Sequence, residues 1–268
     1  MTSLKRVIAV CFPRSGSYFL THCMSRYFAD RLKYLEPYSN TSILPLPRFD
    51  NRFWGARILN SIYFSNRRKH NKEFNQHVYS FSEANFIRFH DFSSFSQRAI
   101  YMSEEGVNIE REYSLDNVAN QDNTSYLILI RHPLEAIQSY YELLVRRSGL
   151  SDSHESWVIF REHALEYWMN FADKWILNAN DSLIENKTVV LYEDLIKNTM
   201  VALSRAVCCF SHKELKQRQV KEIAKLRYSS TRKISDFKYF DADYCERMQD
   251  ELHESYLRPM GIVPHADF

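Results

Sequence analysis

The segment from Val7 to Phe28 constrains the fold most, because a six-residue apolar run, Val7 to Phe12, passes through Pro13-Arg14-Ser15-Gly16 directly into a helical pattern. An uninterrupted apolar run is what a strand buried on both faces of a parallel sheet requires. Beyond the turn, apolar residues recur at Phe19/Leu20, Cys23/Met24 and Tyr27/Phe28. That spacing of four makes one buried stripe and leaves His22, Ser25 and Arg26 on another face. The unit repeats downstream. Tyr126 to Ile130 is a second continuous apolar run, ended by Arg131-His132-Pro133, and Pro133 at a first helical turn launches a helix over Leu134 to Arg147. Shorter strands are expected at Lys33 to Glu36, Asn85 to His90 and Thr188 to Tyr192, and alternation puts Phe86, Arg88 and His90 on one face. Helical periods cover Glu155 to Asn180, Leu195 to Cys208 and Ala242 to Leu257, with Pro259 and Gly261 stopping the last. Strands alternating with helices in this way predict an α/β fold, a central parallel sheet flanked by helices.

Only 5 of the 268 residues are glycine and 7 proline, and no repeat or linker divides the chain. One domain over 1–268 is expected, with the polar, aromatic and basic stretch Tyr38 to Lys72 inserted in it. Five cysteines, scattered and without metal-ligand spacing, suggest neither disulfides nor a zinc site and fit a reducing cytoplasm. The first apolar run is too short for a signal segment or a membrane span. Net charge is +2, but Lys216 to Lys233 holds seven basic residues against the single acid Glu222. Such a cluster reads either as a solvated helix face or as a site for an anionic ligand.

The turn Pro13 to Ser17 reads as an anion-binding loop, with an ordinary βα turn as the alternative. A tight turn into a helix N-terminus presents unpaired backbone N–H groups and the positive end of the helix dipole, and Arg14, Ser15 and Ser17 add charge and hydroxyl donors. The nucleotide-triphosphatase loop G-x-x-x-x-G-K-[ST] is absent, since no glycine lies five residues before Gly16 and no lysine follows it.

Phe12-Pro13-Arg14-Ser15-Gly16-Ser17-Tyr18-Phe19 resembles, without gaps, the Y-P-K-S-G-T-T-W loop of the sulfotransferases of cytosolic and bacterial type, which use 3′-phosphoadenosine-5′-phosphosulfate (PAPS) as sulfuryl donor. The resemblance implies that Arg14 contacts the transferring group, that Gly16, Ser17 and the hydroxyl position held by Tyr18 bind the 5′-phosphate, and that Phe19 lies towards the adenine, with Ser15 a further donor-binding residue of the loop. Arg14 stands where the family has Lys, and Tyr18 where it has a small hydroxyl residue. A second match is Arg131 with Ser139 eight residues on, the family's pair for the 3′-phosphate. Eight residues is about two helical turns, so a strand-end Arg and a Ser on the following helix can converge on one anion. Val190-Leu191-Tyr192-Glu193-Asp194 resembles the strand ending in Y-E-D, implying Tyr192 near the adenine. Arg232-Lys233 resembles the R-K-G stretch over the 3′-phosphate, with Ile234 in place of glycine.

The resemblance further implies a P-loop-like sulfotransferase architecture, while 38–72 reads, from its composition, as an insertion or a lid over the acceptor site. It implies in-line sulfuryl transfer to a small-molecule, lipid or glycan acceptor, at a hydroxyl before an amine, with 3′-phosphoadenosine-5′-phosphate (PAP) as product. No metal and no nucleic-acid partner are expected, and a homodimer is compatible with the family. Arg14, with Ser139 nearby, is the candidate for stabilising the leaving oxygen. His90 corresponds to the end of the family's K-T-H stretch and is the candidate base, with Glu36 its rival; an imidazole near pKa 6.5 suits that role. Two alternatives share the anion loop: a kinase-like phosphoryl-transfer enzyme, and a PAP-binding module without catalysis.

Overall fold

The structure, a computed structural model, describes residues 4–35, 84–89, 124–148, 150–177, 187–210, 216–224 and 233–265. Five strands form one sheet: β1 (Arg6–Cys11), β2 (Tyr34–Leu35), β3 (Phe86–Phe89), β4 (Thr124–Ile130) and β5 (Lys187–Leu191). Their order is β2-β3-β1-β4-β5, and every neighbouring pair is parallel. The expected fold class is the one observed. β1 lies at the centre, with Ile8 opposite Ile87 on one side and Tyr126 on the other.

The described helices are α1 (Ser17–Phe28), α2 (Pro133–Ser148), α3 (His154–Ala172), α4 (Tyr192–Lys197), α5 (Thr199–Phe210), α6 (Gln217–Ala224), α7 (Ala242–Leu252) and the short α8 (Arg258–Met260). Because strand side chains alternate, β1 feeds two cores at once. Val7, Ala9 and Cys11 pack with Phe19, Cys23 and Met24 of α1 and with Leu203 and Ala206 of α5. Ile8, Val10 and Phe12 pack with Tyr167, Trp168 and Phe171 of α3 and Met248 of α7. The result is helix on sheet on helix, which is why the run from Val7 to Phe12 carries no polar residue.

The strands sit within a residue or two of the expected ranges. The long helix expected to reach Asn180 changes to a wider π turn at Asp173–Leu177, and the last one does so at His253–Leu257. The helix expected from Leu195 is two helices, α4 and α5. Asn198 leaves helical geometry between them, as asparagine does readily because its side chain competes for backbone groups. The periodicity also misplaces His22: it is 5% exposed, because α1 packs against α5 and α6 as well as the sheet. Trp157, Trp168 and Trp175 are core residues, as their spacing implies. Among the described residues, no helix is long and apolar enough to cross a membrane. The segment 38–72 lies outside the described residues.

Candidate functional site

The sheet order reverses direction between β1 and β4, and in parallel sheets a crevice opens beyond the carboxyl ends of the strands at such a point. Two segments leave that edge side by side: the loop after β1 and the Arg131-His132-Pro133 corner after β4.

The first loop is tightly wound. Phe12 N–H donates to the Leu129 carbonyl at 2.9 Å, and Ser15 N–H reaches back to the Phe12 carbonyl at 3.3 Å. Arg14 (φ 64°) and Gly16 (φ 84°) both take left-handed backbone conformations, which cost an L residue about 1–2 kcal/mol and glycine almost nothing. Gly16 is required twice over, since a Cβ there would sit 2.5 Å from Cδ2 of Tyr192. The ring of Tyr192 fills the space that glycine leaves. On that ring lies the guanidinium of Arg131, 4.3 Å from the centroid.

Arg131 is held from several sides. Its Nε and Nη2 donate to Oε2 of Glu135 at 2.8 and 2.5 Å, and Nη1 donates to the Arg14 carbonyl at 3.4 Å. Its own carbonyl accepts from Nε1 of Trp168 at 2.9 Å. Across the cleft, Arg14 Nε donates to Oγ of Ser139 at 3.0 Å, tying the first loop to α2. Arg14, Arg131, Ser139 and Lys233 thus line one cavity of about 190 Å³. Ile234, at the position of the family's glycine, lines it too and starts a 3₁₀ turn, Ile234–Asp236. That turn needs no positive φ, so an isoleucine fits it.

The other expected site residues are distributed as follows. Ser15 is buried, and its Oγ has no hydrogen-bond partner among the described residues. Ser17 accepts a hydrogen bond at 2.9 Å from Nη1 of Arg88, a buried guanidinium that also lies 4.2 Å over the ring of Tyr18. Tyr18 is the exposed member of the group. Phe19 is 3% exposed and packs with Leu20, Cys23 and Met24 in the helix-side core. The side chain at this helical position follows the buried stripe. His90, Glu36 and Arg232 lie outside the described residues.

Sequence reasoning passed over Glu135, Gln138, Glu142 and Arg146, which complete the cavity wall along one face of α2. Their spacing from Arg131 in steps of three and four was the available signal. It also passed over the polar cluster behind the corner. His132 is 1% exposed with its ring centroid 4.4 Å from that of His265. Burial first, then the neighbouring His265 and Arg131, lowers its pKa to about 3. Its backbone N–H donates to Oε1 of Glu193 at 2.8 Å, and burial raises the pKa of that carboxyl group.

The α/β fold is similar to that of solved sulfotransferase structures. A solved structure of retinol dehydratase, in complex with androsterone and inactive cofactor PAP, is similar to this chain with a TM-score of 0.51 and 14% identity, covering 93% of this chain and 81% of that one. The mouse sulfotransferase SULT7A1, complexed with PAP, is similar with a TM-score of 0.51 and 15% identity, covering 96% of this chain and 87% of that one. No family model matches the chain. No curated protein matches it either.

Proposed function

We propose that this chain is a single-domain, cytoplasmic sulfotransferase that binds PAPS and passes its sulfuryl group to a hydroxyl of a small-molecule, lipid or glycan acceptor. The observation that carries the reading is the meeting of Arg14, Arg131, Ser139 and Lys233 in one cleft, beside a glycine turn at a helix N-terminus. Such a donor set suits a ligand with two separate phosphates better than one with a single anion. The hydroxyl of Ser15, without a partner among the described residues, is a further donor within the loop.

PAPS supplies the activated sulfuryl group, and the residues would divide its recognition as follows. The N–H groups opening α1, with Ser15 and Ser17, face the 5′ end. Arg131 and Ser139 take the 3′-phosphate, with Arg232 and Lys233 over it, and Tyr192 lies towards the base. The acceptor oxygen bonds to sulfur as the bond from sulfur to the 5′-phosphate oxygen breaks. The electron pair and negative charge then pass to PAP, where Arg14 is placed to stabilise them. The acceptor proton goes to His90, or to Glu36 if His90→Ala retains turnover.

Calorimetry with PAP, and with ATP plus magnesium, followed by an acceptor screen with labelled PAPS, tests the reading. PAP should bind and raise the melting temperature, and Arg131→Ala should lower its affinity by about 10-fold or more. Binding of magnesium–ATP in place of PAP would make the chain a phosphoryl-transfer enzyme. PAP binding without transfer to any acceptor would make it a binding module.

A further inference from the structure

We infer that Glu135 is a positioning residue that turns the guanidinium of Arg131 edge-on to the 3′-phosphate, and that the C-terminal tail holds it in place through His265. The inference rests on the PAPS reading above and goes beyond the pair of residues expected to bind the phosphate.

A guanidinium has five N–H groups arranged as two bidentate edges. Arg131 uses its Nε and Nη2 side edge on Oε2 of Glu135, and one N–H of Nη1 on the Arg14 carbonyl. One N–H then remains on each terminal nitrogen. On this inference they make up the end edge, a fork with the spacing of two phosphate oxygens. The face of the group is fixed by the Tyr192 ring at 4.3 Å, so rotation about the long axis is blocked as well.

Glu135 also has a neighbour behind it. Its second oxygen, Oε1, lies 3.5 Å from Nε2 of His265. The backbone of His265 is clamped in both directions by Gln249 of α7: its N–H donates to Oε1 at 2.8 Å, and its carbonyl accepts from Nε2 at 3.1 Å. The histidine ring packs edge-on against His132. The tail at His265 therefore reaches the phosphate site through one carboxylate. In charge, Glu135 cancels Arg131 and Glu142 offsets one more cation, so the positive excess of the cleft comes from Arg14, Arg146 and Lys233 against Glu142. The contribution of Glu135 is thus directional and not attractive, which separates it from an ordinary charge.

The measurement is the ratio of the dissociation constants for adenosine 5′-phosphate and PAP, which isolates the 3′-phosphate contact from overall folding. Glu135→Ala should cut this preference by about tenfold, whereas Glu135→Gln, which keeps an acceptor oxygen in place, should hold it within about twofold. His265→Ala should reduce it by about threefold. Thermal melts verify folding, and Glu135→Asp, whose carboxylate is drawn back from Arg131, replaces the alanine variant if that one does not fold. An unchanged ratio in Glu135→Ala or Glu135→Asp overturns the inference. So does a Glu135→Gln ratio that falls as far as the alanine one, since charge and not direction would then matter. A wild-type protein that binds both nucleotides equally refutes the donor reading itself.

Discussion

Gly16→Ala is the sharpest probe of how the site is built. Two costs arise in the folded state. Alanine must hold φ 84°, a left-handed conformation worth about 1–2 kcal/mol against an L residue. Its Cβ must also enter the Tyr192 ring, 2.5 Å from Cδ2, and overpacking of this kind costs about 1–3 kcal/mol. The ring has little room to retreat, because Arg131 lies on it. The combined loss is about 3 kcal/mol, which for a chain of this size lowers the melting temperature by about 6–12 °C. The clash part depends on Tyr192 and the backbone part does not. In a Tyr192→Ala background, Gly16→Ala should therefore cost only about 1–2 kcal/mol. Thermal unfolding of the four proteins of this double-mutant cycle provides the measurement. Equal costs of Gly16→Ala in the two backgrounds would refute the packing argument and leave backbone strain alone.

Acid sensitivity follows from two buried histidines. Burial lowers the pKa of His22 from its ordinary 6.5 to about 4, and that of His132 to about 3. The unfolded chain then binds more protons than the folded one below pH 6.5, so the stability these groups contribute is complete above that value and is lost as pH falls towards 4 and 3. The slope between pH 6.5 and 4 in urea melts should be shallower in His22→Asn. Trp168→Phe should cost about 1–3 kcal/mol in the same melts, because it strips the Nε1–H from the partly buried Arg131 carbonyl. Melting unchanged by Trp168→Phe would mean that this bond does not brace the corner after β4.

How much of this was legible beforehand depended on distance along the chain. The strands β1 and β4 could be placed from continuous apolar runs, because both faces of a central parallel strand are buried. Pro133 marked the start of α2, and the stripe along α1 was visible from Phe19 to Phe28. Arg14 and Arg131 stood out because each follows a strand closely, where a parallel sheet opens its crevice, and Ser139 through its spacing of two helical turns from Arg131. The break at Asn198 was missed because apolar periodicity continues across it. His22 was misplaced because a single stripe implies one covered side, whereas α1 has neighbours on several. Phe19 belonged to both the loop motif and the buried stripe, and burial in the core decided its place.

Local sequence determined the elements of the fold and the residue types at the end of each strand, since both depend on interactions within a few positions of the chain. Only the tertiary structure decided which of those residues meet. The Arg14–Ser139 bond spans 125 positions, the Tyr192 ring comes to rest on Gly16, and His265 reaches Glu135 from the far end of the chain. Such contacts depend on sheet order and strand register, which follow from how the whole core packs and are encoded in no single motif.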